Sequence, residues 1–97
     1  MNEELKINIC GITYTVKKIE PNSREDSFMG RTDVQKALIT INSTMNEETQ
    51  EQCLIHEWLH AVLCNYCIEE TNNEILVQTL ASELYRTGFR VHKFIKI

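Results

Sequence analysis

Two histidines and a glutamate stand close together near the middle of the chain, in the run His56-Glu57-Trp58-Leu59-His60. In a helix, residues four positions apart lie on the same face, so the imidazoles of His56 and His60 can bind one metal ion together. Glu57 lies beside the first of these ligands, where a carboxylate can take a proton from a water molecule that the metal activates. The spacing therefore predicts a zinc site, with Glu57 as the catalytic general base.

The residues around this motif are mostly apolar, which favours a built site over a chance match. From Cys53 to Val62 the chain reads Cys-Leu-Ile-His-Glu-Trp-Leu-His-Ala-Val, and the three motif residues are its only imidazole or charged side chains. Burying two imidazoles and a carboxylate is unfavourable unless they are paired or bound to a metal. The alternative is that no metal binds, and that these three residues lie on the solvent-exposed face of a half-buried helix.

A catalytic zinc ion needs a third protein ligand beside two histidines. Glu74 is the first prediction, because it is expected at the start of a second helix that can pack antiparallel to the first and reach His60. Glu70, in the connecting segment, is an alternative that needs a sharp backbone bend to reach the metal. His92, in the C-terminal tail, is a further alternative that would supply a third imidazole.

Gln78 and Tyr85 are predicted on the same helical face as Glu74. Gln78 is expected to hydrogen-bond to a metal ligand and hold its orientation. Tyr85 has two possible roles. It can donate its hydroxyl to the oxyanion that forms during amide hydrolysis, or it can pack at the seam between the helices.

The chain contains four cysteines, Cys10, Cys53, Cys64 and Cys67. Its acidic start, Met-Asn-Glu-Glu-Leu, is unlike a signal peptide, so reduced thiols in the cytoplasm are predicted. Cys64 and Cys67 cannot join both histidines in one structural zinc site, because position 67 lies roughly 16 Å beyond position 56 along a helix. A pair of His60 and Cys64 stays open, and buried apolar packing is the first prediction for Cys53 and Cys64.

Length and charge limit the functional classes further. Ninety-seven residues predict one domain, 1–97, whose active site is a shallow groove. The formal net charge is −4, which does not indicate the basic surface that nucleic-acid-binding proteins use, so nucleic acid is not expected as a partner. No apolar run approaches the ~20 residues that cross a bilayer, so a membrane partner is not expected. The expected partner is a protein or peptide substrate.

Periodic patterns predict a small number of secondary-structure elements. Alternating β-formers indicate two hairpins, one of Lys6–Cys10 with Thr13–Ile19 and one of Phe28–Thr32 with Ala37–Asn42. A motif helix is expected from about Asn46 to Tyr66, and a second helix from a capping box at Thr71 and Glu74 to Gly88. The tail, 89–97, alternates like a strand or an ordered tail.

The predicted fold class is α+β, with a small antiparallel sheet packed on the motif helix and on a second, ligand-bearing helix. The strand Ala37–Asn42 directly precedes the motif helix. It is expected at the edge of the sheet, where it can take an extended peptide by strand addition.

These features together resemble the small zinc peptidases of the ImmA/IrrE type, especially short phage- and prophage-encoded proteins of Gram-positive bacteria. The resemblance spans four segments: Ile9 to Tyr14, Met29-Gly30 to Asn42, Leu54 to His60, and Asn73-Glu74 to Tyr85. It implies a minimal zincin fold, one Zn²⁺ ion, a third ligand at the position of Glu74, and hydrolysis of peptide bonds in an intracellular protein. The alternative, from a different functional class, is a non-catalytic metal-binding module that recognises a host or phage protein.

Overall fold

The computed structural model describes residues 4–21 and 28–91. Strands β1 (Glu4–Ile9) and β2 (Ile12–Ile19) form the first hairpin, and β3 (Gly30–Asp33) and β4 (Leu38–Asn42) form the second. Cys10 and Gly11 join β1 to β2 with φ values of 55° and 84°. A two-residue turn with two positive φ values matches the twist of the flanking strands, and glycine adopts that conformation readily. Both predicted hairpins are confirmed, but Cys10 lies in the first turn rather than in a strand, and β3 begins at Gly30 rather than at Phe28.

The four strands form one mixed sheet in the order β1-β2-β4-β3. Strand β4 pairs parallel to β2 on one side and antiparallel to β3 on the other. The α+β class is confirmed, but the prediction of a wholly antiparallel sheet is wrong. The predicted edge position of Ala37–Asn42 is wrong for the same reason, because β4 has a partner on each side. Both edge strands, β1 and β3, contact α1, and β3 is the one that contacts the motif residue Glu57.

Two helices follow the sheet, α1 (Glu47–Asn65) and α2 (Glu74–Arg86), with one 3₁₀ turn (Glu69–Asn72) between them. The side chain of Asn46 begins α1 by accepting the Thr49 N–H at 2.8 Å, and Asn73 begins α2 by accepting the Leu76 N–H at 3.0 Å. Asparagine is among the best N-cap residues. The predicted capping box at Thr71 is therefore wrong, because Thr71 lies in the 3₁₀ turn.

Both helices end with a residue in the left-handed conformation. Cys67 has a φ of 57° after α1, and Gly88 has a φ of 95° after α2. Beyond them, the Ile68 N–H donates to the Leu63 carbonyl at 2.8 Å, and the Phe89 N–H donates to the Leu84 carbonyl at 3.0 Å. These are Schellman motifs, which satisfy carbonyls in the last turn. The predicted helix end at Gly88 is confirmed. Among residues 4–21 and 28–91, no helix has the length and apolar character needed to cross a membrane.

Helix α1 lies between the sheet and α2, so apolar residues surround most of its circumference. Its sheet side packs on the inward-facing residues of β1, β2 and β4, and its other side packs on Val77 and Ala81 of α2. The main members of the sheet-side core are Leu5, Ile7, Ile9, Tyr14, Val16, Ile39, Ile41, Cys53, Leu54 and Ala61. This arrangement leaves the motif where β3, α1 and α2 meet.

Residues 87–91, the described part of the chain after α2, pack back on α1 without regular secondary structure. Phe89 lies with its ring centroid 5.3 Å from that of Trp58, and Arg90 pairs with Glu51 at 2.6 Å. Residues 92–97 lie outside the described residues. The prediction of His92 as a third ligand and the prediction for that part of the tail therefore stay predictions.

Candidate metal centre

The three predicted metal ligands converge at one point. Nε2 of His56 lies 3.1 Å from Oε2 of Glu74, Nε2 of His60 lies 2.7 Å from Oε1 of Glu74, and the two Nε2 atoms are 3.2 Å apart. Ligand atoms about 2.0–2.1 Å from one tetrahedral zinc ion lie about 3.3–3.4 Å from one another. Two of the observed separations, 3.1 and 3.2 Å, are close to that spacing, and the third, 2.7 Å, is shorter. Within the described residues, these three form the one group of potential metal ligands.

The other ring nitrogen of His56 is held by Gln78. The Gln78 side-chain nitrogen donates to Oγ of Ser82 at 3.0 Å, so its oxygen faces His56 Nδ1, which lies 2.8 Å away. An amide oxygen only accepts hydrogen bonds, so His56 carries its proton on Nδ1. In the neutral imidazole, Nε2 then presents a lone pair toward Glu74. This contact matches the predicted role of Gln78 in orienting a ligand.

Thr71 holds His60 in the same tautomer. Its Oγ1 lies 3.1 Å from Nδ1 of His60 and donates to the main-chain carbonyl of His60 at 3.4 Å. The Nδ1–H of His60 therefore donates to Thr71, and its Nε2 also presents a lone pair. In the neutral form of both rings, two bare nitrogens and a carboxylate then face one another, and a cation between them, either a metal ion or a proton on one Nε2, removes their repulsion. The donor set thus fits a zinc ion.

Replacing Thr71 by valine is expected to weaken zinc binding by about 10- to 100-fold, because His60 loses the partner that fixes its tautomer. Competition with a chromophoric chelator measures this affinity. Thr13→Val, an exposed threonine of β2, is the matched control and should bind zinc like the wild type. Equal affinity of a correctly folded Thr71→Val would contradict the assigned role.

Glu57 contacts β3 through its side chain. Its side chain is buried, and the Thr32 hydroxyl donates to its Oε1 at 2.6 Å. This bond joins residues 25 positions apart and was not foreseen from the sequence, which offers no local signal for Thr32. It holds one carboxylate oxygen and leaves Oε2 on the side of Gly30.

Gly30 allows β3 to approach α1 beside Glu57. A Cβ atom at this position would lie 2.5 Å from Sγ of Cys53 and 3.0 Å from Cγ of Glu57. A glycine within a strand often marks such an approach, and this signal could have identified Gly30 from the sequence. Burial raises the pKa of Cys53 to about 12, and the charge of Glu57 adds to the rise. The thiol therefore stays neutral beside the carboxylate.

Substitution of Gly30 by alanine is expected to lower the free energy of unfolding by about 1–3 kcal/mol, because the added methyl overpacks this contact. Chemical denaturation measures the change. The double variant Gly30→Ala/Cys53→Ala should recover part of the stability lost by the two single variants, since truncating Cys53 removes the closest clash. Strict additivity of the two single effects would argue against this contact.

An open groove of about 680 Å³ runs beside the ligand cluster. Helix α1 forms its floor, the start of β3 forms one wall and α2 forms the other. Its lining residues are Met29, Gly30, Thr49, Gln52, Cys53, His56, Glu57, Glu74, Ile75, Gln78 and Thr79. The groove thus combines two predicted metal ligands with the predicted base in one accessible surface.

The remaining predicted site residues lie elsewhere. Glu70 is exposed in the 3₁₀ turn and does not join the ligand cluster. Tyr85 packs in the core between the helices, with the Arg90 guanidinium 3.9 Å from its ring centroid, so its packing role is the one observed. Cys53 is buried as predicted, but the prediction for Cys64 is wrong, because the last turn of α1 leaves it exposed. All four cysteines are free thiols.

No protein-family model, curated protein or solved structure matches this chain.

Proposed function

We propose that the protein is a zinc-dependent peptidase that hydrolyses peptide bonds of a protein substrate. The main support is the convergence of His56, His60 and Glu74 beside the buried carboxylate of Glu57 and an open groove. A zinc ion bound by these three residues would supply a Lewis acid that polarises a peptide carbonyl and makes water more acidic. The resemblance to ImmA/IrrE-type peptidases is part of the same proposal.

Glu57 acts as the general base in this proposal. The hydroxyl of Thr32 occupies Oε1 and fixes the carboxylate, so Oε2 accepts the proton of the attacking water. The same carboxylate then gives this proton to the leaving amine. A carboxylate that is already held in the reactive orientation is effective, because no conformational entropy is lost to orient it during catalysis.

The residues behind the ligands keep the site in one arrangement. Gln78 holds His56 and Thr71 holds His60, each through Nδ1, so both Nε2 atoms stay available to the metal. Glu74 supplies the negative charge of the ligand set from the first turn of α2. Because Thr71 and Glu74 lie only three residues apart, the 3₁₀ turn and the start of α2 position them together.

Strand β3 is the part of the sheet that suits an extended substrate. It is an edge strand, and Gly30 at its start lines the groove. Edge strands have unpaired backbone groups that can pair with a peptide added as a further strand. A substrate held along β3 would cross the groove close to Glu57.

The direct test is zinc-dependent cleavage of a defined library of unstructured peptides that covers all residue pairs. We expect cleavage by the zinc-loaded protein, its loss with a chelator and its return when zinc is added. A protein that retains zinc but cleaves no library member would contradict the peptidase proposal and favour the non-catalytic metal-binding module.

A further inference from the structure

Two exposed apolar side chains stand on opposite walls of the groove. Ile75, in the first turn of α2, is 82% exposed, and Met29, directly before β3, is 60% exposed. Both line the same groove as His56 and Glu57. Exposed apolar side chains that line a concave surface lose contact with water when a ligand enters, which favours binding.

The charge of the groove restricts what can enter it. Among the described residues, Glu57 and Glu74 are the only carboxylates that line it, and no lysine or arginine does. In the zinc-loaded protein the two positive charges of the ion would offset these two carboxylates, so neither an acidic nor a basic side chain would be attracted, and either would lose hydration on burial. The other polar lining groups, on Thr49, Gln52 and Thr79, are uncharged. The groove therefore suits an uncharged segment.

The length of the groove suits a short stretch of extended chain. Thr49 and His56 lie seven residues apart on α1, or about 10 Å along the helix axis. An extended strand rises about 3.3 Å per residue, so about three peptide residues span this distance. The volume of about 680 Å³ accommodates their side chains.

We infer that the groove selects an extended peptide with a large apolar side chain, such as leucine, methionine or phenylalanine, that inserts between Met29 and Ile75. Apolar recognition follows from the exposure and charge of the groove. That the recognised residue flanks the cleaved bond rests on the proposed peptidase function. Met29 and Ile75 are thus specificity-determining residues that take no part in metal binding.

Peptide binding is tested by NMR titration of the zinc-loaded Glu57→Gln protein, which is not expected to consume the probe. The probes are acetyl-Ala-Leu-Ala-amide and its variants with central aspartate or lysine. We expect the leucine peptide to shift amide signals of Met29, Gly30, Gln52 and Ile75, and to bind about tenfold more tightly than the charged peptides. Equal affinities, or shifts elsewhere, overturn the inference.

Variants of the two walls complete this test. Ile75→Ser and Met29→Ser should each weaken binding of the leucine peptide by about tenfold. Both side chains are largely exposed, so the fold should tolerate the changes, and the NMR spectrum verifies this. Leu80→Ser is the matched control, because Leu80 is 41% exposed on α2 but does not line the groove. An equal loss in Leu80→Ser would overturn the assignment to Met29 and Ile75.

Cleavage separates this inference from the proposed function. Quenched fluorescent peptides with the same three central residues are incubated with the wild-type protein and zinc. Selective cleavage of the leucine peptide supports both. Equal cleavage of all three overturns the inference and leaves the peptidase function standing. Selective binding without any cleavage overturns the peptidase function and leaves apolar recognition standing.

Discussion

The purified, untagged protein is expected to contain close to one zinc ion per chain, and His60→Ala should lose nearly all of it. The reason is that a zinc ion in such a site needs three protein ligands, and this variant keeps only two. Loss of a residue that supports a ligand weakens metal affinity by about 10- to 100-fold. Loss of a ligand itself should weaken it more. Elemental analysis measures the zinc content.

The third ligand is tested by a matched pair of glutamates. Glu74→Gln should deplete zinc strongly, because it removes the charged donor that contacts both Nε2 atoms. Glu70→Gln, an equally conservative change four residues earlier on an exposed side chain, should leave zinc unchanged. If zinc is depleted in Glu70→Gln and not in Glu74→Gln, then Glu70 is the third ligand. No zinc in the wild-type protein, even after zinc is supplied, would overturn the metal site.

Zinc should also stabilise the fold, which offers a readout that does not depend on activity. A ligand that binds only the folded state adds about 2.7 kcal/mol when its concentration is 100 times its Kd. Chelation should therefore lower the unfolding temperature of the wild-type protein. It should have little effect on His60→Ala, which has lost the site.

The second large effect is expected for Glu57→Gln, which should lower peptide cleavage by about 10²- to 10⁴-fold at unchanged zinc content. Glutamine has the size of glutamate and can still accept the Thr32 hydrogen bond at its side-chain oxygen. Its amide, however, cannot take a proton from water at neutral pH. Initial rates on a cleaved peptide, measured beside elemental analysis, test this prediction.

Glu83→Gln is the control for this variant. Glu83 is an exposed carboxylate of α2 that pairs with Arg86 and does not line the groove, so its substitution should leave cleavage unchanged. Cleavage retained in Glu57→Gln would remove Glu57 from the general-base role. A biological effect that survives in zinc-loaded Glu57→Gln would instead favour recognition of a protein without cleavage.

The ligand set illustrates how much of the site follows from local sequence. The spacing of His56 and His60 predicts two imidazoles on one face of α1, and Glu74 is predicted at the start of the next helix. The structure brings these three together. Each prediction depends on helical periodicity and on a short connection, both of which act over a few residues.

The positions of the sheet residues could not be predicted in the same way. The contact of Thr32 with Glu57 depends on β3 being the edge strand beside α1, and that follows from the parallel pairing of β2 with β4. Strand patterns indicate that a segment is extended, but they do not specify its partner or direction. For this reason the predicted edge at Ala37–Asn42 was wrong.

The sequence by itself therefore determined the spacing of His56 and His60, a hairpin turn around Gly11 and the end of α2 at Gly88, because these depend on local geometry and backbone conformation. Only the tertiary structure decided that Thr32 bonds Glu57 beside Gly30, that Thr71 holds His60, and that Met29 and Ile75 line one groove. The physical reason is that these contacts join separate elements, whose relative positions are set by burial of the two apolar cores around α1.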